Sequence, residues 1–151
     1  EQLRYAAILH DIGKIGIPEE LLNKTTALTS EEFDVVKKHP VLGARIIHNI
    51  PHLEQASTAI LQHHEYYSGN GYPAGLSGGE ISPLAKVLAI SDAYDAMTSG
   101  RPYRPALTEE EAYDELHKCA GSQFDPEIIK VFCEAIPALA EVAATRAGVN
   151  V

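Results

Sequence analysis

Tryptophan is absent, methionine occurs once, and only two of the 151 residues are cysteines, Cys119 and Cys133. Two thiols are too few for a disulfide framework and suit a reducing cytoplasm. Cys119 falls near the end of a predicted helix and Cys133 within one, so both read as inert packing residues. Long apolar runs are missing as well. No stretch approaches the ~20 residues that span a bilayer, so no membrane contact is expected from this segment. Positive charge is scarce: 12 Lys and Arg against 21 Asp and Glu leave a formal net charge of −9. That excludes sequence-independent binding to DNA, which needs a basic face. It does not exclude a phosphorylated small molecule, because bound cations can neutralise phosphate locally. Strand-like alternation of apolar and polar residues occurs nowhere, so the expected fold class is all-α.

What is present is enough apolar sequence for one sizeable core: 45% of residues are hydrophobic and 22% charged. The length suits a single domain over 1–151 and is short for two. The chain opens Glu1-Gln2-Leu3-Arg4, already in helical pattern, with no starting Met and no signal peptide. It reads as truncated at its N-terminus, with an upstream part such as a sensor domain expected. Residues 137–151 read as a C-terminal helix and tail.

One short stretch stands out, His10-Asp11-Ile12-Gly13-Lys14. His10 continues the apolar face of Leu3, Ala6 and Ala7, and Gly13 marks the end of that helix. A His offers a nitrogen ligand and an Asp a carboxylate that can bridge two cations. Lys14 reads either as a solvated cation near a helix C-terminus or as a group reaching the same site. Thr29 and Glu32 fit a capping box, with Phe33 and Val36 opening the next apolar stripe. Pro40 pushes His39 out of helical geometry and suits the first position of a helix carrying Leu42, Gly43, Ile46 and Ile50.

The helix after Pro51 leads into His63-His64, where the apolar stripe should continue. Two inward imidazoles either coordinate something or bond to polar neighbours, because burying them bare is costly. From Tyr66 to Gly79 the chain is rich in glycine and reads as a turn-rich loop. Asn70-Gly71 favours positive φ there, and Tyr72 could stack on a base or pack back onto the domain. Ser82-Pro83 starts a helix in which Leu84, Leu88, Asp92 and Asp95 share a face. Asp92 is then a metal ligand or half of a buried ion pair. Asp95 has the same options, with Arg101 or Arg104 as partner. Arg101-Pro102-Tyr103-Arg104-Pro105 is a rigid segment whose guanidinium forks suit phosphate. Thr108 with Glu111, and Asp125 with Pro126, start the last helices. His48, His52 and His117 carry no assigned chemistry.

The intervals connect these groups. Asp11 to His39 is 28 residues, His39 to His63 is 24 and His64 to Asp92 is 28. Two helices with short turns take about that many, so each group lies one up-and-down excursion after the last. Every excursion returns the chain to the same end of a helical bundle, where sites are built from facing helices. Two carboxylates and four imidazoles suit a pair of divalent transition ions.

The motifs His10-Asp11-Ile12-Gly13-Lys14, His39-Pro40 with Gly43, His63-His64-Glu65, Gly69-Asn70-Gly71-Tyr72-Pro73, and Asp92 followed by Arg101-Pro102-Tyr103-Arg104 occur together and in order. The chain resembles the HD-GYP family, a branch of the HD-domain metal-dependent phosphohydrolases, from its first residues to about Phe132. The resemblance implies a single-domain helical bundle of the HD type with a metal site at one end. It implies a bacterial signalling enzyme that hydrolyses cyclic di-GMP to linear pGpG and GMP. It also implies that His10, Asp11, His39, His63, His64 and Asp92 ligate two metals, iron or manganese, with Asp11 bridging. Lys14 would contact the scissile phosphate or the attacking water, and Arg101, Arg104 and Tyr72 are candidate substrate contacts. The family usually has Asp where this chain has Ser68. Two rival readings are another HD-type nucleotide phosphohydrolase, and a non-hydrolysing module that binds cyclic di-GMP or a partner such as a diguanylate cyclase.

Overall fold

The computed structural model describes residues 1–100 and 105–147, with side chains up to residue 136. The architecture is helical: α1 (Gln2–Leu9), a 3₁₀ turn (Ile12–Gly16), α2 (Glu19–Leu22), α3 (Ser30–Val36), α4 (His39–Ile47), α5 (Glu54–Gln62), a second 3₁₀ turn (Gly78–Glu80), α6 (Pro83–Thr98), α7 (Glu109–Lys118) and α8 (Pro126–Ala147). Among the described residues, β structure is limited to two isolated bridges, Ser68 with Ser77 and Ala120 with Phe124. The all-α expectation holds. The Ala-rich segment from Pro137 continues α8 as far as Ala147.

The helix starts have local causes. The Thr29 side chain accepts the Glu32 N–H while the Glu32 carboxylate accepts the Thr29 N–H, and Thr108 with Glu111 repeats the arrangement. These reciprocal bonds satisfy donors that a helix N-terminus leaves bare. Ser82 caps α6, with Pro83 as its first residue. Leu53, before α5, has no capping side chain, and Gln2 of α1 takes that part. Its Oε1 accepts the Ala56 N–H at 3.0 Å, and its amide donates to the carbonyl of His52, a residue at φ 68°. The first helix is thereby tied to the start of the fifth.

The core has two parts joined by α6. Ala85 and Leu88 pack with Ala6, Ile47, Ala56, Ala59 and Ile60, whereas Ile90 packs with Leu116, Phe124 and Ile129. A sixteen-residue helix buried on two sides cannot show the single stripe that Leu84, Leu88, Asp92 and Asp95 suggest. Lys86 adds a polar pin between the parts: its Nζ lies 2.8 Å from Asp125 Oδ2, both side chains being largely buried.

Gly13 does something other than end a helix. α1 has closed by His10, and Gly13 lies inside the following 3₁₀ turn without a left-handed φ. The reason for glycine is proximity to α4. A Cβ on Gly13 would lie 1.9 Å from the His39 carbonyl oxygen and 2.5 Å from the Gly43 nitrogen. Gly43 faces it, its own Cβ position falling 3.1 Å from Ile60 Cγ2 and 3.3 Å from Gly13 N. The turn and α4 therefore meet backbone to backbone, which sets Asp11 beside His39. Neither backbone can yield as a flexible side chain would, so Gly13→Ala should destabilise the fold by more than about 3 kcal/mol in urea unfolding, and Gly43→Ala by less.

Candidate metal centre

The six groups separated in sequence converge. His10 Nε2 lies 3.6 Å from Asp11 Oδ2 and 3.5 Å from Asp92 Oδ1, and His39 Nε2 lies 3.5 Å from Asp11 Oδ1. The His39 and His63 rings are 5.4 Å apart, His39 and His64 5.0 Å, His63 and His64 4.0 Å, and His10 and His63 5.5 Å. Nitrogens of His39, His63 and His64 all fall within 4.8 Å of one another. α1 and the turn after it supply His10 and Asp11, the start of α4 supplies His39, the end of α5 supplies His63 and His64, and the middle of α6 supplies Asp92. The groups meet, although the intervals between them are not the expected pairs of helices: a 3₁₀ turn, the four-residue α2 and α3 separate Asp11 from His39, and the glycine-rich loop with the first part of α6 separates His64 from Asp92. His48, His52 and His117 are exposed and take no part.

Three of the imidazoles are oriented alike. Nδ1 of His10, His39 and His63 lies 2.8, 2.9 and 2.7 Å from the carbonyl oxygens of Ala7, Val36 and Ile60, each three residues back. A carbonyl only accepts, so Nδ1 carries the hydrogen and Nε2 of a neutral ring presents a lone pair. His39 Nε2 and His63 Nε2 are buried with no hydrogen-bond partner among the described residues. A buried lone pair 3.5 Å from a carboxylate oxygen is two acceptors facing each other, which costs energy unless a cation lies between. This is the donor set a divalent transition ion takes, with the second ring nitrogen held by a carbonyl to fix orientation.

Electrostatics agree with that reading. Burial pushes the His63 and His64 pKa values down to about 4 and about 3, and His39 down as well, so these rings are neutral near pH 7. His10 moves the other way, because Asp92 bonds to its protonated form. The same bond holds Asp92 below the usual carboxylate range against burial. Burial pushes Asp11 up, but the hydrogen bond and charge of Lys14, 2.5 Å away, outweigh it and leave Asp11 low. Lys14 is thus paired rather than freely solvated.

Tyr72 packs against the site. Its ring lies 4.9 Å from that of His64, and burial raises its hydroxyl pKa. The loop reaches this position through Gly71, although not by a positive φ as Asn70-Gly71 suggests. The left-handed residues of this loop are Gly69, Gly75 and Gly78, at φ 85°, 70° and 49°. A Cβ on Gly71 would instead lie 2.2 Å from Tyr66 N and 2.5 Å from the His64 carbonyl oxygen, and that same carbonyl accepts the Tyr72 N–H at 3.0 Å. Ser68 is exposed, its hydroxyl accepting a hydrogen bond from Asn70. Asp95 is also exposed and accepts from Ser99 Oγ, while Arg101 and Arg104 lie outside the described residues.

Glu65 has no role that its sequence position alone discloses. It is 3% exposed, and its two carboxylate oxygens accept the N–H groups of Ala74 at 2.7 Å and Leu76 at 2.9 Å. A glutamate set directly before a glycine-rich loop with bare amides is the signal that could have found it. The α7–α8 connection holds the loop's other side, with Gln123 and Ser122 carbonyls accepting from Tyr67 and Ser68.

A family model described as HD domain matches residues 1–128. The chain belongs to the HD domain family. It is 42% identical over 133 residues to a Thermotoga maritima protein named cyclic di-GMP phosphodiesterase, covering 87% of this chain and 36% of that one. It is 40% identical over 132 residues to the cyclic di-GMP phosphodiesterase PA4108 of Pseudomonas aeruginosa, covering 87% and 32%. Among solved structures, Bd1817, a HDG"Y"P protein from Bdellovibrio bacteriovorus, superposes with a TM-score of 0.69 at 25% identity, covering 90% of this chain and 43% of that one. The HD-GYP resemblance and the helical HD fold are borne out. This HD chain spans about a third of the length of the curated relatives it matches. Among the described residues, no helix is long and apolar enough to cross a membrane.

Two outcomes follow. Glu65→Ala removes a buried carboxylate and leaves the Ala74 and Leu76 amides without their acceptor, and should lower stability by about 1–3 kcal/mol and speed hydrogen exchange at Ala74 and Leu76. His63 binds its proton more weakly folded than unfolded, at about 4 against 6.5. The unfolded chain therefore takes up protons first as pH falls, and metal-free protein should lose thermal stability from pH 6.5 down to about 4. A melting temperature flat across that interval would contradict a buried neutral His63.

Proposed function

We infer that this chain is the hydrolytic domain of a metal-dependent phosphodiesterase that opens cyclic di-GMP to pGpG and onward to GMP. The observation that supports this most is the pair of buried, unpartnered Nε2 lone pairs on His39 and His63 beside the Asp11 carboxylate. The named activity of relatives about 40% identical supports the choice of substrate. His10, Asp11, His39, His63, His64 and Asp92 would hold two divalent ions, iron or manganese, with Asp11 shared. Such ions supply Lewis-acid stabilisation of phosphoryl oxygens and a nucleophile at neutral pH.

The protein's own groups supply the remainder. Neutral His39, His63 and His64 need lose no proton to act as ligands, so the site is ready near pH 7. Carbonyls fix three of the rings before any ligand arrives, and this preorganisation removes reorganisation from the reaction. Lys14 sits on Asp11 with 42% of its side chain exposed, so its ammonium can meet a phosphoryl oxygen without leaving that carboxylate. Arg101 and Arg104 are assigned to the substrate phosphates on the resemblance alone. A cytoplasmic location, an upstream sensor domain and a diguanylate cyclase partner complete this reading as a signalling module.

Asp11→Ala should abolish both metal retention and cyclic di-GMP hydrolysis, measured by elemental analysis and product chromatography. Lys14→Ala should lower kcat about a hundredfold with metal content intact. Full metal and full activity in the Asp11 variant would remove the basis of the assignment, and metal loss in the Lys14 variant would make Lys14 structural.

A further inference from the structure

Phe33 departs from the pattern that its sequence position suggests. It opens the apolar stripe of α3, yet it is 43% exposed. Its ring meets Tyr72 edge to face, with centroids 6.3 Å apart and planes at 81°. Tyr72 in turn lies on His64. One turn further along α3, Lys37 holds its Nζ 4.8 Å from the Phe33 ring and 6.0 Å from that of Tyr72, with Asp34 Oδ1 3.0 Å from the same ammonium. Three rings thus step outward from the imidazole cluster and end in an open aromatic surface with a cation on it. A large apolar ring left in water is unfavourable, and Phe33 belongs to neither of the two core clusters. Aromatic faces with an adjacent cation are how proteins hold unpaired bases, because every base has a π face and a purine edge carries acceptors for an ammonium.

Resting on the cyclic dinucleotide reading above, we propose that Phe33 and Lys37 form a base-binding subsite: a purine attached to the phosphate at the metal centre lies against the Phe33 ring, and Lys37 donates to its acceptor edge. Neither residue touches the reacting atoms, so both set affinity and specificity rather than the rate of the chemical step.

The test uses metal-loaded protein and equilibrium titration calorimetry with two phosphorylated probes, GMP and ribose 5-phosphate, which differ in the base. Wild type should bind GMP at least about tenfold more tightly, Phe33→Ala should reduce that preference to within about twofold, and Phe33→Tyr should keep it. With cyclic di-GMP, Phe33→Ala should raise KM about tenfold and leave kcat within about twofold. Because the ring is partly exposed, a thermal melt close to wild type is expected for both variants. No GMP preference in wild type, or an unchanged preference in Phe33→Ala, would overturn the subsite. Titration needs no turnover: a GMP preference that vanishes in Phe33→Ala, in a protein unable to hydrolyse cyclic di-GMP, would support the subsite and refute the phosphodiesterase reading.

Discussion

The structure depends on a contact with no side chain in it. Gly13 and Gly43 let the turn after α1 press its backbone onto the first turns of α4, closer than any Cβ on Gly13 allows. His10 and Asp11 precede that contact by two or three residues, and His39 belongs to it through its carbonyl. The distance from Asp11 to His39 is therefore set by backbone against backbone, the stiffest element a protein has. Flexible side chains at this junction would leave room for the carboxylate and imidazole to drift, and a ligand set must be held within fractions of an ångström.

Orientation is solved by a second backbone device used three times. His10, His39 and His63 each give the Nδ1 hydrogen to a carbonyl three residues earlier, near a helix end where carbonyl groups have spare acceptor capacity. One helical turn of chain thus fixes tautomer and ring plane together. The cost is the burial of lone pairs with nothing opposite but carboxylates, and that unfavourable arrangement favours a cation in return. His10 differs because Asp92 can hold a proton on it. As a ligand of the proposed metal site it would be the one at which a proton competes most directly, whereas His63 and His64 are already neutral well below pH 6.

Much of this is written in the one-dimensional pattern. Helical periodicity, the capping boxes at Thr29 and Thr108 and the proline starts at Pro83 and Pro126 are local signals with local causes, and they locate the elements. The recurrence of His and Asp residues at 28, 24 and 28 positions signals that they meet, although helices of unequal length and a glycine-rich loop, rather than repeated helix pairs, fill those intervals. Illegible are contacts whose partner is remote. Gly13 and Gly71 look like turn glycines, yet both are there because another backbone passes within van der Waals reach. Gln2 looks like a surface residue and caps α5, more than fifty positions away. Phe33 fits a core stripe by period and lies partly in solvent, since period reports a helix face without saying what that face meets. α6 hides its amphipathicity because it serves two cores.

His63, His64 and Glu65 show how the imidazole cluster and the glycine-rich loop become one object. At the end of α5 the chain spends two consecutive residues on the site and the third on the loop. Glu65 is buried with both carboxylate oxygens on loop amides, while the His64 carbonyl takes the Tyr72 N–H and Gly71 lies against the same peptide. To swing the loop outward would expose or strand a buried carboxylate and separate a glycine from the backbone it was selected to touch. Such a move has no cheap intermediate, because the acceptors on Glu65 cannot be half satisfied. The loop consequently acts as a fixed wall of the site rather than a lid, and the aromatic surface it presents through Tyr72 is as preorganised as the imidazoles behind it.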